Sequence, residues 1–107
     1  MKIYLAIPYT GNELKSFQTA NLVAGMLMNQ GYIVLSPISH THPIARECDL
    51  PKDWLFWKKQ DESFIKWCDE LHVIKLTGYE KSIGVNAEIG IAKSLGKPIR
   101  YIEFKTD

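Results

Sequence analysis

Residues 2–36 read KIYLAIPYTGNELKSFQTANLVAGMLMNQGYIVLS, and the order of patterns within them decides the fold. The first seven, KIYLAIP, form a short apolar run rich in β-formers and closed by proline, which predicts a strand buried on both faces. After the turn YTGN, Asn12 is placed to cap a helix in which Leu14, Phe17, Ala20, Leu22, Val23, Met26 and Leu27 recur at roughly helical spacing until Gly31. YIVLS, residues 32–36, then predicts a second strand. A strand, a helix and a strand in that order make a right-handed crossover, so the two strands are parallel.

Outward from this unit the alternation repeats. PISHTHPIARECDLPKD, residues 37–53, has three prolines, two histidines and no clear period, and we expect a long loop that overhangs a site. Asp53 is placed to cap a helix with Trp54, Trp57, Phe64, Ile65 and Cys68 on its apolar face. LHVIKL (71–76) reads as a third strand and TGYEKS as a turn; a helix follows over SIGVNAEIGIAKSLG, and PIRYIEF (98–104) is the last strand. The expectation is a single domain over residues 1–107, a three-layer α/β, Rossmann- or flavodoxin-like parallel sheet of about four to five strands with helices on both faces. Such a sheet binds ligands beyond the carboxyl ends of its strands, here at residues 8–11, 36–43 and 77–84.

Bulk properties narrow the partners. A chain of 107 residues with 46% hydrophobic content holds one core, and a formal net charge of +1 supplies no field for polymeric nucleic acid or a membrane surface. Cys48 and Cys68 form no C-x-x-C pair, no secretory leader precedes the first strand, and no apolar run approaches the ~20 residues of a membrane span. A cytoplasmic protein with free thiols is the expectation. Trp54, Phe56 and Trp57 make more apolar surface than a small monomer readily buries, which points to a homo-oligomer.

Two carboxylates stand out, Asp61 and Glu88, each on a helix beside the expected crevice. Glu88 borders an apolar set, Val85, Ile89, Ala92 and Leu95, and a carboxylate there needs a partner. A carboxylate pair across a small pocket divides nucleophilic from proton-transfer work, as glycosyl transfer requires, although solvated helix acids give the same pattern. Ser82 and Gly84 open the last helix, where free backbone N–H groups suit a phosphate; an ordinary serine cap reads equally well. Tyr4 inside strand one reads as a core phenol. His40 and His42 lack a third ligand at metal spacing, so no metal is expected, and they read as anion-binding or loop residues. Trp54, Trp57 and Trp67 have the residue type that stacks on a base but also the spacing of a packed face, and core or subunit contact is the reading preferred.

Three segments, IYLAIPYTG (3–11), QDESFIKWCDELHVI (60–74) and SIGVNAEIGIAKSLGKPI (82–99), resemble the nucleoside 2-deoxyribosyltransferase superfamily, which includes the deoxynucleoside 5′-monophosphate N-glycosidases. The resemblance is nearest to small uncharacterised bacterial and phage members, whose marks are the loop SPISHTHPIA and the WLFW helix. It implies that Glu88, in its G-x-x-x-E-I-G-x-A setting, is the nucleophile. It further implies that Asp61 assists proton transfer or substrate positioning, Asp69 is structural, Tyr4 hydrogen-bonds the nucleophile, and Ser82 contacts a 5′-phosphate. Pro8, Tyr9, Gly11, His40, His42, Gly84 and Asn86 complete the implied substrate contacts. The implied function is an N-glycosidase or 2-deoxyribosyltransferase acting on a small nucleoside or nucleotide with no cofactor. The alternative is a non-catalytic nucleotide-binding or sequestering protein of the same fold. Many relatives complete a neighbouring subunit's site through a segment beyond the last strand, and the resemblance implies that any such completion comes from elsewhere here.

Overall fold

The computed structural model describes residues 1–104. Four parallel strands, β1 (Lys2–Ala6), β2 (Ile33–Leu35), β3 (Glu70–Ile74) and β4 (Ile99–Ile102), form one sheet in the order β2-β1-β3-β4. The helices are α1 (Glu13–Asn29), α2 (Pro37–Cys48), α3 (Trp54–Trp67) and α4 (Ile83–Ser94), with one 3₁₀ turn at Tyr79–Lys81. Tyr4 of β1 lies level with Leu35 of β2 and Leu71 of β3, so the centre of the sheet is flanked on both sides. The expected α/β architecture is present, with four strands.

Side chains alternate across the central strands and build two cores. Ile3, Leu5, Ile7, Ile74 and Leu76 meet Ala20, Val23, Ala24 and Leu27 of α1 on one face. Tyr4, Ala6, Leu71 and Val73 meet Ile65 and Cys68 at the end of α3 and Val85 and Ala92 of α4 on the other. This double burial is why β1 reads as a continuous apolar run rather than an alternating one. Asp69 accepts the Lys2 backbone N–H at 2.7 Å, which ties the start of β1 to the end of α3. Among the described residues no helix is long and apolar enough to cross a membrane.

One expectation is corrected. Residues 37–48 are not a loop but α2, entered at Pro37 in the first helical turn, where a missing N–H costs nothing, and continuing through Pro43. Its buried face consists of Pro37, Thr41, His42 and Ala45, so apolar periodicity could not reveal it. The Thr41 hydroxyl donates to the Pro37 carbonyl at 2.8 Å, so the buried alcohol is satisfied within the helix. Strand ends also retract: β1 stops at Ala6, ahead of Pro8, and β3 at Ile74.

Helix α2 ends at Asp49, the only non-glycine residue with positive φ (52°) among those described. An L-residue is strained there, and its negative charge faces the negative end of the helix dipole. Asp49→Gly relieves both, and we expect a gain of roughly 0.5–1 kcal/mol, a Tm higher by a few degrees. A Tm that is unchanged or lower in thermal melts contradicts this account of the cap.

Candidate active site

The sheet order places the topological switch point between β1 and β3, where the chain leaves in opposite directions. A cleft of about 650 Å³ opens there, beyond the carboxyl ends of the strands. Pro8, Tyr9 and Thr10 after β1, Pro37, Ile38 and Thr41 after β2, and Leu76, Thr77, Lys81 and Ser82 after β3 line its sides. Asp61 from α3 and Glu88 from α4 supply its buried carboxyl groups, and the exposed Asp53 also borders it.

Glu88 occupies the buried stripe of α4, between Val85 and Ala92, and is 7% exposed. Its carboxylate accepts a hydrogen bond from the Tyr4 hydroxyl, which rises from the fully buried centre of β1. Asp61 is 9% exposed, on the α3 stripe that continues to Ile65 and Cys68. Burial pushes the Asp61 carboxyl up to about 7. Burial also raises Glu88, to about 8, where the Tyr4 hydrogen bond opposes the shift and the Asp61 charge adds to it. Tyr4 is held well above its ordinary value, first by burial and then by the charges of Glu88 and Asp61, so it remains a phenol and a donor. Near neutrality the two carboxyls therefore retain at least one proton between them.

Ser82 caps α4: its hydroxyl oxygen accepts the Val85 N–H at 3.2 Å. A serine oxygen that accepts can still donate its own hydrogen, so the cap and a ligand contact are compatible. A methyl group added at Gly84 would stand 4.0 Å from the Trp54 ring, so α3 closes over the start of α4 at this point.

Of the residues expected at the site, Glu88, Asp61, Pro8, Tyr9, Ser82 and Gly84 line the cleft, and Tyr4 supports its floor from behind. Four lie elsewhere. Gly11 is in the exposed turn after β1, its N–H directed to the Glu13 carboxylate. Asn86 is exposed on α4, and its amide donates to the Glu80 carbonyl at 3.0 Å. His40 borders a shallow depression with Ser36, Ser39 and Phe64. His42 is buried, stacked on Phe17 at 4.5 Å and hydrogen-bonded through Nδ1 to the Tyr9 hydroxyl at 2.7 Å. The two histidines part because residues two apart on a helix point roughly 200° from each other, whereas a loop could have aimed both the same way. Burial lowers the His42 pKa, with the Arg46 charge adding, so the ring is neutral where it holds Tyr9. Among the described residues no three His, Cys, Asp or Glu side chains gather as a metal site.

Sequence reasoning passed over Lys52 and Lys81, two cations of the cleft wall. Lys52 pairs with Glu13 at 3.4 Å. Lys81 directly precedes the serine at the anion-ready helix start, and that adjacency was a usable signal. Trp54 and Trp57 also line the cleft, whereas Trp67 lies outside it under the Lys2 ammonium, 4.8 Å from the ring centroid.

These features define a parallel α/β domain with a two-carboxyl site at its switch point. Residues 1–104 match the family described as Domain of unknown function (DUF1937), and the chain belongs to that family. Among solved structures it is similar to the 2-deoxyribosyltransferase of the psychrotolerant bacterium Bacillus psychrosaccharolyticus, a biocatalyst for nucleoside synthesis. The TM-score is 0.68 at 28% identity, covering 100% of this chain and 75% of that one. It also shares its fold with the 2-deoxyribosyltransferase of Leishmania mexicana, with TM-score 0.66 at 19% identity over 98% of this chain and 65% of that one. The first of these neighbours supports the resemblance to the nucleoside 2-deoxyribosyltransferase superfamily, and the second supports the fold. No curated protein matches the sequence.

The raised carboxyls make stability depend on pH. Unfolded, Asp61 and Glu88 ionise in the ordinary carboxylate range; folded, they hold protons up to about 7 and about 8. Between these limits the folded state binds more protons than the unfolded one, so stability falls as pH rises through the window. Asp61→Asn and Glu88→Gln each remove one such proton, and we expect each variant to exceed wild type by on the order of a few kcal/mol at pH 8–9. That advantage should shrink toward pH 4. Melts whose pH slope matches that of wild type would sink this reading.

Proposed function

We propose that this protein breaks the N-glycosidic bond of a small nucleoside or nucleoside 5′-monophosphate, releasing or transferring the base. The observation that carries the proposal is the Glu88 carboxylate on the cleft floor, held by the Tyr4 hydroxyl, with the Asp61 carboxyl in the same cleft. Glu88 in its ionised form attacks the anomeric carbon, the carbon–nitrogen bond breaks, and its electron pair leaves with the base. Asp61 supplies the proton that the leaving nitrogen takes up. Water or a second base then attacks the anomeric carbon, Asp61 takes back a proton, and Glu88 is released.

The working protonation state has one carboxyl ionised and the other protonated. Burial raises both carboxyls, Asp61 to about 7 and Glu88 to about 8, so the two share a proton in this range, and the Tyr4 donor favours the arrangement with the charge on Glu88. Lys81, Ser82 and the free N–H groups at the start of α4 suit a 5′-phosphate. Leu55 and Phe56, 80% and 47% exposed, make a homo-oligomer part of the proposal. A cytoplasmic setting, where small nucleotides are abundant, completes it.

Incubation with nucleosides and their 5′-monophosphates, followed by chromatography, tests the activity. We expect base release, reduced by roughly 10³-fold or more in Glu88→Gln and by about 10²–10⁴-fold in Asp61→Asn. Its kcat/KM should peak between pH 7 and 8, the interval set by the two carboxyls. Glu88→Gln cleaving as fast as wild type excludes the nucleophile, and thermal stabilisation by nucleotides without product identifies a binding protein instead.

Lys81→Ala separates phosphate recognition from chemistry. It should raise KM for a 5′-monophosphate about tenfold, leaving kcat and the KM of the free nucleoside in place. Equal changes for both substrates remove Lys81 from phosphate binding.

A further inference from the structure

His42 is 4% exposed, and its ring is held from two sides. Phe17 of α1 stacks on it at a centroid distance of 4.5 Å, and the Tyr9 hydroxyl meets Nδ1 at 2.7 Å. Tyr9 lines the cleft whereas His42 and Phe17 do not, so the imidazole stands behind the phenol. Its other ring nitrogen, Nε2, is the one buried side-chain nitrogen or oxygen among the described residues without a hydrogen-bond partner. A buried polar atom left bare costs stability, and a phenyl ring would fill the same stack on Phe17 without that cost. Packing alone therefore does not account for a histidine here. The bond that its ring nitrogens make among the described residues leads to Tyr9.

A neutral imidazole carries one ring N–H, and its place decides what Tyr9 offers. With the hydrogen on Nε2, the phenol donates to Nδ1, and a buried N–H is left without an acceptor. With the hydrogen on Nδ1, the ring donates to the Tyr9 oxygen, the bare atom is a lone pair, and the phenol hydrogen is free to turn toward the cleft. Buried donors without an acceptor are rarer than under-used acceptors. The surrounding charges point the same way. Those acting on the ring are Arg46 on its own helix, Glu13 on α1 and Lys52 before α3, and the two cations outweigh the anion. A positive surrounding suits a bare lone pair better than a bare N–H.

We infer that His42 is a positioning residue: it carries its hydrogen on Nδ1, donates it to Tyr9, and so presents the Tyr9 hydroxyl to the cleft as a hydrogen-bond donor. The inference deepens the glycosidic reading and rests on it only for the kind of ligand that Tyr9 meets. At Tyr9 the charge of Glu13 outweighs that of Arg46 and opposes an anion. The accepting group is therefore an uncharged oxygen of the nucleoside rather than its phosphate.

Two measurements need no substrate. Long-range ¹H–¹⁵N spectra report which His42 nitrogen carries the hydrogen, and we expect Nδ1; the sequence has three histidines, and the His42 signals are those lost in His42→Asn. His42→Phe should melt no lower than wild type, because it keeps the stack on Phe17 and removes the bare nitrogen. Hydrogen on Nε2, or a folded His42→Phe that melts well below wild type, overturns the inference. Base release from nucleosides and their 5′-monophosphates then reads the function. His42→Phe and Tyr9→Phe should each raise KM about tenfold with kcat little changed, by the same factor for both substrates. The double variant should be no worse than either single one, since His42 acts through Tyr9. His42→Asn, whose amide nitrogen can take the place of Nδ1–H, should restore most of the affinity. Additive losses, a loss confined to the monophosphate, or an asparagine variant as impaired as Tyr9→Phe removes the role. If His42→Phe does not fold, the tautomer and the comparison of Tyr9→Phe with His42→Asn decide. The glycosidic reading fails separately. Hydrogen on Nδ1 without base release leaves the presentation of Tyr9 standing and removes the chemistry; base release with hydrogen on Nε2 does the reverse.

Discussion

A carboxyl group buried as deeply as that of Glu88 destabilises the fold unless a donor reaches it, and the donor here is the hydroxyl of Tyr4. That requirement constrains much else. The phenol must rise from the central strand, so β1 runs through the middle of the sheet with β2 on one side and β3 on the other. It must rise toward α4, so Tyr4 and Ala6 share a face with Val85 and Ala92, and Ile3 and Leu5 turn toward α1. Fixing this one bond settles the orientation of every side chain in β1, because successive residues of a strand alternate between its faces.

The sheet and most of its crossover helices were legible because their signals are apolar and periodic. The β1-α1-β2 unit, the strand over Leu71 and Val73 and the last strand each combine a short β-rich run with proline or glycine punctuation. Helix α2 was not legible, since its buried face is Pro37, Thr41, His42 and Ala45, where Thr41 bonds back within the helix and His42 Nδ1 meets Tyr9 from a distant part of the chain. The same error displaced His40 and His42: read as a loop, SHTHP offered two side chains to one ligand, whereas a helix sends them apart.

The site divides similarly. Glu88 was visible as a carboxylate in an apolar stripe, and its link to Tyr4 came through the family resemblance, because nothing local connects residues 4 and 88. Asp61 was visible only as a helix acid near an edge; its burial depends on α3 and α4 closing over β1 from different parts of the chain. Trp54 and Trp57 show a different limit. Their spacing fits a packed face and a cleft wall equally, and only the position of α3 over the switch point separates the two. Once that position is known, the spacing of 54, 57 and 61 becomes informative, since it puts the indoles on the wall that bears the acid.

The two carboxyls also show why the cleft has its particular make-up. Glu88 is raised by burial and drawn back by the Tyr4 donor, whereas Asp61 is raised by burial with no such counterweight. Glu88 still ends higher, at about 8 against about 7, because burial and the Asp61 charge together exceed what the Tyr4 donor takes back. A more polar wall would narrow that difference by solvating both groups. The cleft surface around them is mostly apolar, which lowers the local dielectric and strengthens the effect of immediate neighbours on each carboxyl. The low-dielectric wall thus raises both acids, while the buried phenol acts on Glu88, an asymmetry that follows from the place of Tyr4 in the central strand.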